Sequence, residues 1–209
     1  MAARRGHVRG GEGTVPLVRV RTVGLFGGSF NPPHVAHQLV ALYVLETVVD
    51  EVWFVPTYSH PFGKNLAPYD HRVAMCELAA APLGARAQVS RAEQELAQRP
   101  DFVSSRTLDL VEHLIAKHPD AQFRLVVGAD ILGERDKWYR WDDVTARAPL
   151  VVLGRGGYEL PPGSVETGIT MPEISATRIR ELLAAKDPDA ARLLPQAVLR
   201  YIARHGLYA

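Results

Sequence analysis

"GLFGGSFNPPHVAHQLVALYVLETVVDEVWFVP", Gly24 to Pro56, decides how the rest of the chain is read. Two glycines, an Asn-Pro-Pro turn and a His-x-x-His pair stand between a strand-like segment and a helical one. "VRVRTVGLF" (Val18 to Phe26), running into Gly27 and Gly28, reads as a buried first strand. Val35, Leu39, Leu42, Leu45 and Val49 recur at helical spacing and predict a helix from about His34 to Val49 with those side chains inward. "DEVWFVPTY" is a second strand closed by Pro56. Two strands around one helix make a βαβ unit, for which parallel pairing and a right-handed crossover are expected.

The same alternation continues along the chain. After the loop "SHPFGKNLAP" comes a helix, "YDHRVAMCELAAA", with Val73, Met75, Leu78 and Ala79 on its apolar face. "AQVS" is a short strand, and a polar stretch runs on to Pro100. Ser104 or Ser105 is the expected cap of a helix carrying Leu108, Val111, Leu114 and Ile115. "QFRLVVGAD" and "PLVVLGRGG" are further strands. The C-terminal third reads as helical, "SATRIRELLAA" then "PQAVLRYIARHG", with Pro195 at the last helix's start and Gly206 as its stop. The expected fold is α/β, a doubly wound parallel sheet of Rossmann-like kind flanked by helices, with a helical C-terminal segment. Residues 18–209 form one domain, and residues 1–17 a disordered basic tail.

Composition bounds the function classes. Of 209 residues, 47% are hydrophobic and 22% charged, an ordinary globular balance. The formal charge is +1, but five arginines and one acid fall in residues 1–21, which leaves 19 basic and 22 acidic groups in the remainder. A slightly acidic body argues against a nucleic-acid partner. No apolar run reaches the roughly 20 residues of a membrane span, so no membrane partner and a cytoplasmic location are expected. The single cysteine, Cys76, reads as a buried core thiol. A homo-oligomer is compatible with the sequence, which does not decide it.

Ligands of open α/β sheets bind beyond the carboxyl ends of the strands. That rule gathers Gly27-Gly28-Ser29, the segment from Thr57 to Lys64, Gly128-Ala129-Asp130 and Gly154-Arg155-Gly156 around one crevice. The glycines allow close backbone approach, and the helix beginning near His34 offers free N–H groups and a positive dipole end, a combination that suits phosphate. His34 and His37, three apart, project from one side of its first turn and are able to support negative charge on a leaving group. His-x-x-His alone is also a zinc pattern or a local cap; zinc wants three protein ligands, and no second motif supplies them. "ISATRIRELL" (Ile174 to Leu183) opens a second helix with hydroxyls at Ser175 and Thr177 and with Arg178 and Arg180. Ser175 is the expected N-cap, and this helix start is a second phosphate cradle. Arg178 and Arg180, two apart, cannot face the same way, so one belongs to the solvated face.

"GGSFNPPHVAH" followed at this distance by "ISATRIR" resembles the HxGH nucleotidylyltransferases, most closely the bacterial nicotinate mononucleotide adenylyltransferases, whose pattern is GG[ST]FDPxHxGH early and ISSTxIR late. "LVVGADILGERDKWYRWDDV" is similar to their GAD…W…W segment, and "VVLGRGG" to their Val-x-x-Arg loop that carries Arg155. The resemblance spans roughly residues 22–208. It implies transfer of AMP from ATP, with Mg²⁺ bound through the ATP phosphates and not by protein side chains, to a pyridine mononucleotide. By that resemblance His34, His37 and Arg180 are the catalytic set, and Ser175 and Thr177 hold the triphosphate. Gly27, Gly28, Ser29 and Phe30 line the mononucleotide and α-phosphate side, and Asp130, after Gly128, meets a ribose hydroxyl. Lys64 approaches substrate phosphate, while Trp138 and the loop at Thr107 border the pyridine ring. Such in-line transfer needs no protein nucleophile, only positioning and charge neutralisation.

Three positions depart from the pattern. Ala36 stands for the glycine of HxGH, where a methyl would press on a nucleotide packed against the helix. Asn31 replaces an aspartate, and Arg106 stands in the SYT-type segment "SSRTLDLV", which bears on the acceptor rather than on the reaction. Nicotinamide mononucleotide and phosphopantetheine are the alternative acceptors, and a nucleotide-binding regulatory protein is the alternative of another class.

Overall fold

Alternate residues of the central strands point to opposite faces, and both faces are apolar, so helices must cover both. In the computed structural model, which describes residues 20–59, 66–100, 102, 104–154 and 157–209, this is the arrangement found. Six parallel strands, β1 (Arg21–Gly28), β2 (Glu51–Pro56), β3 (Ala87–Val89), β4 (Ala121–Gly128), β5 (Leu150–Leu153) and β6 (Val165–Glu166), lie in the order β3-β2-β1-β4-β5-β6. Val23, Leu25, Trp53 and Val55 face a core completed by α3 (Ala92–Ala97), α4 (Thr107–Lys117) and α5 (Trp141–Arg147). Val52 and Phe54 face the other way, onto α1 (Val35–Thr47) and α2 (Tyr69–Ala80), through Ala41, Leu45, Cys76 and Ala80. The Cys76 thiol is fully buried, and burial pushes its pKa up, as suits a core residue.

The C-terminal helices α6 (Ala176–Ala184), α7 (Ala190–Leu193) and α8 (Gln196–His205) form a layer on α2 instead of on the sheet. Ile179, Leu194, Val198 and Ile202 pack against Met75 and Ala79. Gly206 ends α8 in the left-handed conformation, φ 60°, as expected of a helix stop.

Several expectations need correction. Strand β1 takes in Gly27 and Gly28 instead of stopping before them, and Val18 lies outside the described residues. Helix α1 buries Ala36, Ala41, Val44 and Leu45, while Leu39 and Leu42 are 43% and 44% exposed. Residues 39–45 of α1 are apolar without a break, so spacing alone could not choose the inward stripe. The polar stretch before Pro100 contains α3, whose Ala92 and Leu96 reach the core. Neither Ser104 nor Ser105 caps α4; the N-cap is Arg106, and the Ser105 hydroxyl is engaged elsewhere. The edge strand β6 and helix α5 carried no expectation.

Candidate active site

Strand order places the site. β1 and β4 are the adjacent strands from which the chain winds in opposite directions, the switch point at which open α/β sheets bind ligands. They pair only as far as Leu25 with Leu125, whereas β1 stays paired with β2 to Gly28 and β4 with β5 to Gly128. The last residues of β1 and β4 therefore splay, and a cleft opens between Gly28 and Gly128. Gly27 is exposed, and a Cβ there would meet nothing within 4 Å; at Gly128 a Cβ would press on the Asp130 carboxylate, which would have to swing aside.

The loop from Ser29 to His34 is held from below and from both sides. Phe30 is in the left-handed region, φ 45°, a strained conformation for a bulky residue. Its ring is 2% exposed and packs edge-on to Phe26 at 5.6 Å and to His37 at 4.9 Å, so its side chain lines the core and only its backbone borders the cleft. Asn31 is buried; its Oδ1 accepts from Ala67 N–H (3.0 Å) and from the Tyr208 hydroxyl (2.7 Å). Its backbone oxygen accepts from Arg180 Nη1 at 2.8 Å. All three bonds end on acceptor oxygens, so the change from aspartate to asparagine leaves them in place.

At the start of α1, His34 and His37 stack with ring centroids 3.7 Å apart. His37 Nδ1 accepts from the His34 backbone N–H at 3.0 Å, which puts the ring proton on Nε2. His34 Nδ1 is buried without a partner among the described residues. Burial lowers the His34 pKa to about 4, and burial with the neighbouring imidazole holds His37 well below its usual value. Both rings are neutral hydrogen-bonding groups near pH 7. Ala36 is 7% exposed.

Across the loop, Ser175 caps α6 by accepting from Arg178 N–H at 3.4 Å, as the sequence suggested. Arg178 pairs outward with Glu181, while Arg180 turns inward, bonded to Thr177 Oγ1 (3.0 Å) and to Asn31. The two motifs, 149 residues apart, thus meet through the bond between Arg180 and Asn31.

On the acceptor side the expected residues spread further. Trp138 packs edge-on to Trp141 at 5.4 Å, and both line a groove of about 1250 Å³ between Leu132–Asp136, α5 and the segment 157–162. The histidines do not line this groove. Thr107 begins α4, and the Arg106 guanidinium lies 4.3 Å over the Tyr139 ring. Lys64 and Arg155 lie outside the described residues.

Two further residues belong to this architecture. Arg72, 1% exposed, donates through Nε to Ala67 O and through Nη1 to Ser29 O, both at 2.9 Å. Glu93 on α3 accepts from the Ser105 hydroxyl at 2.6 Å and from Tyr58 N–H at 2.9 Å, joining the loop after β2 to the one before α4. Glu93 carried no expectation, and the bonds of Arg72 could not be read from its place in the helix.

Comparison with known proteins identifies the family. Residues 25–182 match the cytidylyltransferase-like family model. A protein of Anaeromyxobacter dehalogenans (strain 2CP-1) named "Probable nicotinate-nucleotide adenylyltransferase" is 50% identical over 189 residues, 90% of this chain and 97% of its own. One of Myxococcus xanthus with the same name is 41% identical over 187 residues, 89% of this chain and 94% of its own. The fold superposes on Plasmodium falciparum nicotinic acid mononucleotide adenylyltransferase complexed with NaAD, at a TM-score of 0.75 and 18% identity, over 90% of this chain and 97% of that one. The chain belongs to the cytidylyltransferase-like family and, within it, to the nicotinate-nucleotide adenylyltransferases.

Proposed function

We propose that the protein transfers AMP from ATP to nicotinate mononucleotide, giving nicotinate adenine dinucleotide and pyrophosphate, a step of NAD biosynthesis. The observation that carries the reading is the meeting of two neutral, stacked histidines and an inward arginine around one loop at the sheet's switch point. The acceptor phosphate oxygen attacks the α-phosphorus, and the bond to the bridging oxygen of the departing pyrophosphate breaks in line. The chain supplies no nucleophile. His37 Nε2–H and His34 donate to phosphate oxygens without adding a charge, and Arg180 and the start of α6 at Ser175 and Thr177 neutralise the leaving group.

Gly27 and Gly28 let the phosphates approach the backbone, and Asp130 takes a ribose hydroxyl. Trp138 borders the pyridine ring, with Thr107 at its edge. Among the described residues no group of three or more His, Cys, Asp or Glu is placed to hold a metal ion. The donors around the loop suit anions, so Mg²⁺ would arrive on the ATP phosphates, where it would offset their charge.

No helix among the described residues is long and apolar enough to cross a membrane. The test is pyrophosphate release with ATP and Mg²⁺, using nicotinate mononucleotide, nicotinamide mononucleotide or phosphopantetheine, with products identified by mass. Nicotinate adenine dinucleotide formed at the highest kcat/KM is the expected result; silence with both pyridine nucleotides would sink the reading.

A further inference from the structure

Among the described residues Arg72 is the largest fully buried side chain, and its bonds are to carbonyl oxygens, not to carboxylates. Among the described residues no acid forms an ion pair with it; Glu93 acts on it only through space, and the Tyr69 ring lies 5.4 Å from its guanidinium. A buried cation without a contacting anion is costly, and its pKa is lowered by that burial. The position it occupies explains why it is kept.

The Ser29–Phe30 peptide is trans and therefore planar, with its C=O and N–H pointing in opposite directions. Arg72 holds the Ser29 oxygen on the buried side, which turns the Phe30 N–H to the opposite side, toward the cleft. The left-handed φ of Phe30 fixes the same orientation, and the Phe26 and His37 rings hold Phe30 in it. No protein acceptor for the Phe30 N–H occurs among the described residues.

We infer that Arg72 is a positioning residue for phosphate: by gripping the Ser29 carbonyl from inside, it aims the Phe30 N–H at the ATP phosphates. Their negative charge lies across one peptide from the buried guanidinium. The inference rests on the ATP reading given under Proposed function, but not on the identity of the acceptor.

The test compares the full wild-type chain with Arg72→Lys, which keeps the charge but lacks the planar fork that grips two carbonyls. In ¹⁵N-labelled protein titrated with ATP, the wild-type Phe30 amide resonance moves more than that of Val198 in α8, and most of that movement is lost in Arg72→Lys. Turnover of the variant falls about 100-fold in kcat, while KM for either substrate stays within about threefold and melting within a few degrees. Should the lysine variant not fold, Arg72→Met carries the same measurements.

A Phe30 amide that stays still while other resonances shift, or that moves equally in wild type and variant, overturns the inference. So does a parallel loss of kcat, substrate affinity and melting temperature, which would make Arg72 a residue of the fold alone. A Phe30 amide that moves and depends on Arg72, in a wild type that turns over no pyridine nucleotide, supports the inference and sinks the acceptor assignment. No ATP-induced shift anywhere removes the nucleotide reading, and this inference with it.

Discussion

His37 has one ring nitrogen committed to the backbone of His34, which leaves Nε2–H as the group able to meet a phosphate. Replacing it by Asn keeps an oxygen that can accept from the N-cap but removes that donor. His37→Asn should melt near the wild type and lose about 100- to 1000-fold in kcat, the usual cost of one transition-state donor. Steady-state turnover beside thermal melting checks it; wild-type kcat would remove His37 from the chemistry. Arg106 offers a second test at this scale. Its guanidinium lies over Tyr139, next to Trp138, and no carboxylate among the described residues pairs with it. Arg106→Ala should cut kcat/KM for nicotinate mononucleotide about tenfold and leave nicotinamide mononucleotide nearly unchanged, since only the former carries a carboxylate for it to meet. An unchanged ratio between the two acceptors would free Arg106 of that role. His34, His37 and Arg180 were legible because their spacing and motif context are one-dimensional. The bonds of Arg72 were not, because only the packing of α2 under the loop turns a helix arginine inward.

Helices teach a different lesson. A βαβ start and a parallel sheet followed from period and order alone, because apolar strands alternating with helices leave few topologies. The inward stripe of α1 did not follow, since Leu39 and Leu42 are as apolar as Val44 and Leu45, and only the sheet's position separates them. Helix α3 escaped notice because six residues give barely two turns and only Ala92 and Leu96 signal a buried side. Yet α3 carries Glu93, whose carboxylate ties Tyr58 N–H to the Ser105 hydroxyl, with its pKa raised by burial. Glu93→Ala leaves both donors without their acceptor and should cost about 1–3 kcal/mol of stability. On the proposed reading those loops flank the acceptor, so KM for nicotinate mononucleotide should rise more than KM for ATP. Urea denaturation and the two KM values decide; equal rises in both would show a general loosening instead of a local one.

The whole molecule must fold around two imidazoles that its own packing keeps uncharged. Strands β1 and β4 splay to open the cleft, α6 closes one side through Arg180, and Tyr208 reaches back from beyond α8 to Asn31. Enclosure of the phosphate loop by these elements is what desolvates His34 and His37. The consequence is a stability that depends on pH with a fixed sign. In the unfolded chain a histidine titrates near 6.5, whereas His34 in the fold titrates at about 4 and His37 also lies well below 6.5. Between these values the unfolded state binds more protons, so stability is whole above pH 6.5 and is lost as pH falls toward 4. His34 alone accounts for on the order of 3 kcal/mol over that window. Glu93 opposes the trend at its lower end: its raised pKa makes the unfolded state release its proton first, which favours the fold as pH falls. Urea unfolding at pH 7, 5.5 and 4.5 should therefore show a falling stability that flattens in His34→Asn/His37→Asn, where nothing at these positions titrates. A double variant with the wild-type slope would place the acid sensitivity elsewhere and show that the histidines are not held neutral by the fold.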